Sequence, residues 1–349
     1  MIKKMNLVYS LAVLLVVFAV VIIFLLLNNS NDADVSVDKK GRTVVERYGQ
    51  LQVIGTNLCS EKGKPVQLRG MSSHGLQWHG KYANEDVLSW LRDDWNMQLW
   101  RAAMYLLEGG YITNPVLKQK VIDSVEASLN LGLYVIIDWH VHHDRDPSRY
   151  QEQSLEFFSE MAQRYGKYPN VIYEICNEPN GDDVTWSGSI KPYAEAVISE
   201  IRRYDSDNII IVGTPSWSQD VDSAALDPIQ GWDNIMYSLH FYAGSHGEGF
   251  RKKAEFAIQK GLPLFVTEWG TTLNTGGGDY FPAESLEWLS FMKKNNLSWA
   301  NWSVNNKGEA SGILKFNADR EGKGQWKEKD LSPSGVFIRS VLRNELRIK

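Results

Sequence analysis

Short apolar segments alternate with segments of helical periodicity along most of the chain. Eight apolar or aromatic runs predict strands. They are VQLRGMS, MQLWRAAMY, YVIIDWH, VIYEICNE, IIIVGT, IMYSLHFY, PLFVTEWG and LSWANWSV. The segments between them, and the one that ends the chain, place apolar residues three or four positions apart, as amphipathic helices do. WSQDVDSAALDP, which follows the fifth run, has the weakest helical pattern of the set.

The spacing of the runs predicts how the strands are arranged. Their starts recur about every 33 residues from Val66 to Leu297, which suits a closed barrel of eight strand–helix repeats. Runs that are apolar on both faces are typical of parallel strands covered by helices. A doubly wound open sheet is the alternative, but no glycine-rich phosphate turn follows the first run. We therefore predict an α/β protein with a (β/α)8 TIM barrel.

The N-terminal part of the chain has a different character. Residues 7–27 carry no charge, follow Lys3 and Lys4, and are long enough to span a bilayer. No clear small-x-small cleavage site follows, so we expect a retained transmembrane signal-anchor rather than a cleaved signal peptide. The two lysines place residues 1–6 in the cytoplasm and the remainder outside it. The alternative is secretion after cleavage.

A polar segment separates this apolar stretch from the expected folded domain. Residues 28–45 are predicted to form a polar linker, and residues 46–349 the barrel domain. The domain is expected to start near Glu46 and to open on a short β-hairpin with its turn at Lys62–Lys64.

Composition excludes several classes of function. A net charge of -5 and a pI near 5.9 provide no basic field, so nucleic acid is not an expected partner. Two cysteines cannot form a disulfide framework. The thirteen tryptophans are a heavy loading, and exposed aromatic faces among them could serve as flat platforms for a ligand.

Polar residues collect where the predicted strands end. In a barrel of this kind the active site lies at the carboxyl ends of the strands. The residues expected at that rim are His74, Arg101, Tyr105, His140, Asn177, Glu178, Trp217, His240, Tyr242, Glu268, Trp269 and Trp302. A barrel with a purely structural role would have no reason to collect polar groups at one rim.

Glu178 and Glu268 end the fourth and seventh predicted strands, so they can face each other across the mouth of the barrel. Two carboxyl groups about 5 to 5.5 Å apart around a glycosidic bond make a retaining glycosidase, whereas inversion needs about 6.5 to 9.5 Å. Sequence supplies the topology and not this distance. A rim salt bridge with Arg101 or a lysine is the structural alternative for each glutamate.

Seven motifs, in order at the predicted strand ends, resemble glycoside hydrolase family 5, in particular its bacterial-type endoglucanases. They are GMSSHGLQW, RAAMY, DWH, YEICNEPNG, LHFYAGSHG, FVTEWG and LSWANWS, and the resemblance covers roughly residues 48 to 345. It implies an endo-β-1,4-glucanase that needs no cofactor or metal, acts on β-glucan chains, and has a monomeric catalytic domain. It also implies that Glu178 is the acid/base and Glu268 the nucleophile.

The same resemblance assigns supporting roles. Transition-state stabilisation and orientation fall to Arg101, His140, Asn177, His240 and Tyr242. Substrate binding falls to His74, Trp78, Tyr105, Trp217, Trp302, Lys307 and Glu309. Within these sets, Asn177 is expected to hold the sugar 2-hydroxyl and Trp302 to form the floor beneath the reacting sugar. Cys176 departs from the small residue, commonly Ala, that often precedes the Asn-Glu pair.

Other functions stay open at this point. The His-rich segment with His140, His142, His143, Asp144 and Asp146 permits a metalloenzyme hypothesis, because a His-x-His pair can chelate zinc. A membrane-anchored glycan receptor without catalysis is a second alternative. Among enzymes, β-mannan or mixed-linkage glucan competes with cellulose as substrate, since a 2-hydroxyl epimer changes few contacts.

Overall fold

In the computed structural model, which describes residues 35–346 and 348, eight parallel strands close into a barrel. A two-stranded hairpin, β1 (Gln52–Ile54) and β2 (Asn57–Cys59), precedes them. The barrel strands are β3 (Arg69–Ser73), β4 (Leu99–Tyr105), β5 (Tyr134–His140), β6 (Val171–Glu174), β7 (Ile209–Val212), β8 (Ile235–Tyr242), β9 (Leu264–Gly270) and β10 (Trp299–Val304). Each strand pairs with its neighbours in the chain, and β10 closes onto β3. The predicted (β/α)8 barrel is confirmed.

Helices precede, alternate with and follow the barrel strands along the chain. They are α1 (Val44–Tyr48), α2 (Leu76–His79), α3 (Glu85–Trp95), α4 (Lys118–Leu131), α5 (Gln151–Tyr165), α6 (Lys191–Ile201), α7 (Pro215–Ser218), α8 (Val221–Leu226), α9 (Glu248–Gln259), α10 (Pro282–Lys294) and α11 (Pro333–Leu342). Their ends follow local chemistry. The Asn84 side chain accepts a hydrogen bond from the Val87 amide at the start of α3. Gly132 ends α4 in the left-handed conformation that glycine adopts readily. The segment with the weakest helical pattern is divided into the short α7 and α8.

The inward-facing residues change character along the barrel axis. At the amino ends of the strands they are apolar, as with Leu99 and Ile136, and pack in one cluster with residues of α1 and the hairpin. One inward position further along, at the two-residue period of a strand, stand Arg101 and Asp138. The lower half of the barrel is therefore sealed by apolar packing, and the upper half buries charge beneath the carboxyl ends of the strands.

Two predicted boundaries differ from the structure. Strand β6 ends at Glu174, so Glu178 lies in the loop beyond it rather than at the strand end. The hairpin turns between Ile54 and Asn57, not at Lys62–Lys64, whose turn only brings Cys59 and Pro65 into an isolated bridge. The two turns lie close together in the chain, and only the strand pairing distinguishes them.

The described part of the predicted linker is packed against the barrel. The Ser36 hydroxyl donates to the Arg92 carbonyl at 2.6 Å, and Gln98 Nε2 donates to the Val35 carbonyl at 3.1 Å. Ordered packing therefore starts before Glu46, the predicted start of the domain. The predicted transmembrane segment, residues 7–27, lies outside the described residues. Within the part of the chain that is described, no helix combines the length and apolar character needed to cross a membrane.

Gly213, just beyond β7, allows the chain after β6 to approach closely. A Cβ at this position would lie 2.3 Å from the Cys176 carbonyl oxygen and 2.9 Å from Pro179 Cδ. We expect Gly213→Ala to lower the free energy of unfolding by about 1–3 kcal/mol through overpacking. Activity should fall as well, because the displaced backbone carries Glu178. Thermal unfolding and hydrolysis of a soluble β-glucan measure both effects.

A matched glycine-to-alanine control is available in α9. Nothing lies within 4 Å of a Cβ added at Gly249, which is inside the helix. Gly249→Ala should stabilise the protein by up to about 1 kcal/mol through helix propensity and leave activity unchanged. Equal effects of the two substitutions would contradict the steric argument.

Candidate active site

A cleft of about 500 Å³ opens at the carboxyl ends of the barrel strands. Among its lining residues are twelve that the sequence predicted for the site. They are His74, Trp78, Tyr105, His140, Glu178, Trp217, His240, Tyr242, Glu268, Trp302, Lys307 and Glu309. Arg101 and Asn177, the other two predicted site residues, are fully buried and do not line the cleft. Trp269, expected at the rim, is also fully buried, and it packs on Phe241 on the helix side of the barrel.

The two predicted catalytic glutamates lie together in this cleft. One oxygen of Glu178, one oxygen of Glu268 and a ring nitrogen of His240 are all within 4.8 Å of one another. Strand register contributes to this arrangement, since His240 of β8 pairs directly with Glu268 of β9. The spacing suits two carboxyl groups that act on one bond without an intervening water, for which about 5 to 5.5 Å is typical.

Glu268 receives a hydrogen bond on each of its oxygens. The Tyr242 hydroxyl donates to Oε1 at 2.6 Å, and Arg101 Nη1 donates to Oε2 at 3.1 Å. Both donors favour the ionised carboxylate. Burial, followed by the charges of Glu268 and Glu178, raises the pKa of Tyr242 well above its usual value, so the phenol keeps its hydrogen.

Glu178 stands in a different environment. His240 Nδ1 lies 3.0 Å from its Oε1, and His142 Nε2 lies 4.0 Å from its Oε2. Burial is the largest influence and raises the pKa of Glu178; the nearby Glu268 charge adds to this, while His240 opposes it. A carboxyl group with a raised pKa can keep its proton and donate it.

The loop that carries Glu178 is fixed to β5 by backbone hydrogen bonds. The Asn177 amide donates to the Trp139 carbonyl at 3.2 Å, and the Glu178 amide donates to the Val141 carbonyl at 3.1 Å. The Ser218 hydroxyl also donates to the Asn177 carbonyl at 2.6 Å. These hydrogen bonds fix the backbone at Asn177 and Glu178, although both residues lie in a loop.

A buried charge network supports the cleft from below. Arg101 Nε donates to Glu174 at 2.7 Å, and its Nη2 lies 3.0 Å from Asp138 and donates to Asn177 Oδ1 at 2.6 Å. Burial alone would raise the pKa of Glu174, but the charge and hydrogen bonds of Arg101, together with the nearby His240, lower it to about 2. Arg101 is thus a cation shared by three buried acids, of which Glu268 is the third.

Sequence reasoning missed Asp138 and Glu174 as members of the site. Both are completely buried, and each occupies the inward position one step beyond an apolar one. The signal was present as a single acid inside an otherwise apolar run, in VIIDW and VIYEI. Such an acid is costly to bury without a partner, so it implies a cation on a neighbouring strand.

Asn177 and His140 are bound to protein groups on their polar atoms. Asn177 Nδ2 donates to the Val141 carbonyl at 3.0 Å and lies 3.3 Å from His140 Nε2. His140 Nδ1 lies 2.6 Å from Asp138 Oδ2. Both amide hydrogens of Asn177 therefore have protein partners in this arrangement. The predicted contact of Asn177 with a sugar 2-hydroxyl stays a prediction.

Aromatic rings form one wall of the cleft. Trp302 stacks on His140 at a centroid distance of 5.5 Å and an angle of 18°, and Tyr105 packs against the same ring at 4.1 Å. Trp78 meets Tyr105 edge-on at 5.1 Å, and 47% of the Trp78 residue surface is exposed. These faces could support flat sugar rings.

A charged group closes this side of the cleft. Lys307 Nζ lies 2.6 Å from Glu309 Oε2, and His74 Nε2 lies 3.5 Å from Glu309 Oε1. The Gly75 amide donates to His74 Nδ1, which places the hydrogen of the neutral ring on Nε2, facing Glu309. Burial lowers the pKa of His74 well below its usual value, so the neutral ring is the relevant form.

Trp217 forms the opposite end of the cleft, on the side of Glu178. Its backbone amide donates to the Pro179 carbonyl at 3.1 Å, and 46% of the residue is exposed. Ser216, Trp217 and Ser218 all have positive φ angles, which non-glycine residues adopt rarely. Local strain of this kind is typical of functional sites and here presents an indole to solvent.

The His-rich segment does not assemble a metal site. His143 Nδ1 is hydrogen-bonded to Glu108, Asp144 accepts from the His142 amide, and Asp146 caps the turn at Ser148.

Among the described residues, the set whose ligand atoms could meet at one ion is Glu178, His240 and Glu268. Burial lowers the pKa of His240, but Glu174 and Glu178 outweigh that effect and raise it to about 9, so the ring carries hydrogens where a metal would need lone pairs.

Comparison with known proteins agrees with this geometry. The family model described as cellulase (glycosyl hydrolase family 5) matches residues 59–308. Endoglucanase A of Evansella cellulosilytica is 49% identical over 339 residues, which cover 97% of this chain and 67% of the relative. An endoglucanase of Clostridium saccharobutylicum is 50% identical over 295 residues, which cover 84% of this chain and 65% of the relative. The chain thus spans about two thirds of the length of these relatives.

Solved structures show the same similarity in three dimensions. The catalytic domain of Thermobifida fusca endoglucanase Cel5A matches with a TM-score of 0.82 and 39% identity, covering 86% of this chain and 99% of that domain. A variant of that domain in complex with cellotetraose matches with the same TM-score and coverage.

The charge network predicts a strong effect of Arg101→Leu on stability. The substitution removes the cation that Asp138, Glu174 and Glu268 share and leaves these acids buried without it. We expect the free energy of unfolding at pH 7 to fall by about 3–5 kcal/mol, measured by urea titration. Arg203→Leu, which removes a largely exposed partner of Glu200, is the control and should change stability little.

The decrease in the free energy of unfolding caused by Arg101→Leu should also depend on pH. The folded-state pKa of Glu174 is lowered from 4.5 to about 2, so its contribution is present above pH 4.5 and is lost as the pH falls toward 2. The difference between wild type and Arg101→Leu should therefore shrink over that window. A difference that stays constant from pH 6 to pH 2.5 would contradict the electrostatic explanation.

Proposed function

Since the chain belongs to glycosyl hydrolase family 5, we propose that it is an endo-β-1,4-glucanase that cleaves internal bonds of cellulose or related β-glucans with retention of configuration. The observation that carries the proposal is the approach of Glu178 and Glu268 oxygens to within 4.8 Å at the base of an aromatic cleft. That spacing suits a double displacement and leaves too little room for the attacking water of an inverting enzyme.

Glu268 is the nucleophile in this mechanism. The hydrogen bonds that Arg101 and Tyr242 donate to its two oxygens fix the position of the carboxylate in the cleft. An oxygen of Glu268 forms a bond to the anomeric carbon as the bond to the leaving oxygen breaks. The product of this step is a glycosyl ester in which Glu268 no longer carries a charge.

Glu178 is the acid in the first step and the base in the second. It gives its proton to the leaving oxygen, so the departing chain leaves as a neutral alcohol. Loss of the Glu268 charge removes one of the influences that raise the pKa of Glu178, which favours its ionised form in the intermediate. Glu178 then takes a proton from water, and the resulting hydroxide equivalent opens the ester and restores Glu268.

The aromatic residues support a glucan substrate. Trp302 lies on β10 and Trp78 follows β3, across the barrel from β6, whose loop carries Glu178, and Trp217 lies beside that loop. Because the acid/base faces the leaving group, Trp217 would contact sugars on the leaving-group side and the other two would contact the retained side. A cellulase-type substrate also agrees with the endoglucanase names of the relatives. Action outside the cytoplasm stays a prediction, because it depends on residues 7–27.

Replacing either glutamate should abolish hydrolysis of carboxymethylcellulose. We expect Glu178→Gln and Glu268→Gln each to lower kcat/KM by at least about 10²–10⁴-fold, because one removes proton transfer and the other the attacking group. On dinitrophenyl cellobioside, whose leaving group needs no proton, Glu178→Gln should still form the glycosyl ester in a burst, whereas Glu268→Gln should not. Proton NMR of the first product should show the β-anomer.

The outcomes separate the possible functions. An α-anomeric first product would overturn the retaining mechanism. Binding of cello-oligosaccharides by the parent protein without turnover would favour a glycan receptor. Faster hydrolysis of β-mannan than of carboxymethylcellulose would keep the mechanism and change the substrate assignment.

Trp217→Ala tests the proposed leaving-group side of the cleft. Loss of a stacking face worth about 1.5 kcal/mol or more should lower kcat/KM for cellohexaose by about tenfold. Trp217→Phe, which keeps a flat ring, is the matched control. Hydrolysis of cellobiosyl fluoride, whose leaving group is a single atom that cannot stack on an aromatic ring, should be unchanged in both variants. An equal loss on both substrates would contradict the assignment.

A further inference from the structure

A buried chain of polar groups leads from Glu174 to the acid/base, and the mechanism above does not use it. The Thr267 hydroxyl donates to Glu174 Oε1 at 2.6 Å, and His240 Nε2 lies 2.7 Å from Thr267 Oγ1. On the other edge of its ring, His240 Nδ1 lies 3.0 Å from Glu178 Oε1. Glu174, Thr267 and His240 are almost completely buried, and Glu178 is 8% exposed at the cleft.

The hydrogens in this chain can be placed by elimination. Ionised Glu174 is an acceptor only, so the single hydrogen of the Thr267 hydroxyl points at it. Thr267 Oγ1 can then only accept from His240, which requires a hydrogen on His240 Nε2. Ser238, 3.0 Å from Thr267 and 3.2 Å from Glu174, has one hydrogen that can serve either oxygen and does not change this assignment.

The second ring nitrogen therefore faces Glu178. In the neutral ring, Nδ1 would be a bare acceptor and would draw a carboxyl hydrogen onto Glu178 Oε1, away from the substrate. In the protonated ring, Nδ1–H donates to Oε1, and a further proton on Glu178 must sit on Oε2. Oε2 is the oxygen that approaches His142, a residue lining the cleft.

The charges around the ring favour its protonated form. Glu174 lies 3.7 Å from Nε2, and Glu178 and Glu268 each have an oxygen within 4.8 Å of a ring nitrogen. The opposing charge is Arg101, which lies beyond Glu174 and is neutralised by the acids it binds. His140 is buried with a pKa well below its usual value and is neutral. The titratable groups that act on Glu178 are Glu268, His240 and the half-buried His142.

We propose that Glu174, acting through Thr267, is a positioning residue that holds His240 as an imidazolium, so that the proton used in catalysis resides on Glu178 Oε2 rather than Oε1. The inference rests on the proposed function of Glu178. It assigns a role to two residues that never touch substrate. No proton leaves Glu174 or Thr267 in the reaction; they only fix where the hydrogens of His240 lie.

Thr267→Val tests the chain with a side chain of the same shape. Without the hydroxyl, the imidazolium loses its acceptor on Nε2, and we expect kcat for cello-oligosaccharides to fall by about tenfold. Because a neutral His240 no longer favours ionised Glu178, the alkaline limb of kcat/KM should move to higher pH. Thr267→Ser, which keeps a hydroxyl, should retain both the wild-type kcat and the wild-type position of the alkaline limb of kcat/KM.

Two comparisons separate this role from general damage to the fold. Turnover of dinitrophenyl cellobioside needs no acid in the first step, so its glycosylation rate should be equal in wild type and Thr267→Val. Thr271→Val is the matched control, since it removes another buried threonine hydroxyl, one that contacts Ser334. It should leave the pH profile unchanged. Equal losses of Thr267→Val on both substrates, or no shift of the alkaline limb, would overturn the proposal.

A measurement on the wild-type protein is independent of all variants and of turnover. Nitrogen-15 NMR of histidine-labelled protein at pH 7 should show both ring nitrogens of His240 protonated, with the signal assigned by its loss in His240→Asn. A neutral ring, with either nitrogen bare, would overturn the inference while leaving the assignment of Glu178 and Glu268 intact. If Thr267→Val fails to fold, this spectrum still decides the question.

Discussion

The structure depends on one guanidinium group. Arg101 is completely buried and binds Asp138, Glu174, Glu268 and Asn177. Transfer of a charged group such as Arg101 or Glu174 from water costs several kcal/mol, and only pairing with satisfied hydrogen bonds offsets that cost. The arrangement therefore tolerates little displacement of any member. The nucleophile belongs to the same network, so the rigidity that the buried charges require also orients the attacking oxygen.

The alternation of inward residues explains why the site occurs at one end of the barrel. Leu99 and Ile136 fill the lower interior, whereas Arg101 and Asp138 stand one inward step above them. Apolar packing below excludes water from the charges and strengthens their interactions. Above the charges, aromatic rings such as Trp302 form the surface that a sugar would meet. Along the barrel axis, an apolar layer, a layer of buried charge and an aromatic surface therefore follow one another.

The division of roles between two chemically identical side chains follows from their donors. Glu268 receives hydrogen bonds from Arg101 and Tyr242, which both favour its charge. Burial and the charge of Glu268 disfavour ionisation of Glu178, whose hydrogen-bond partner is His240. Neutralising Glu268 changes the balance at Glu178, so each step of the proposed cycle prepares the proton state that the next step needs.

Sequence by itself determined the barrel, its eight strands and most of the cleft residues, including Glu178 and Glu268, because apolar runs and helical patterns are local and the carboxyl ends of the strands share one face. It did not identify Asp138, Glu174 or Thr267 as members of the site, since the meaning of a buried polar residue depends on its partners from other strands. The approach of the two glutamates, the course of the loop after β6 and the hydrogens on His240 were decided only by tertiary structure. Barrel closure and strand register set these distances, and no local pattern encodes them.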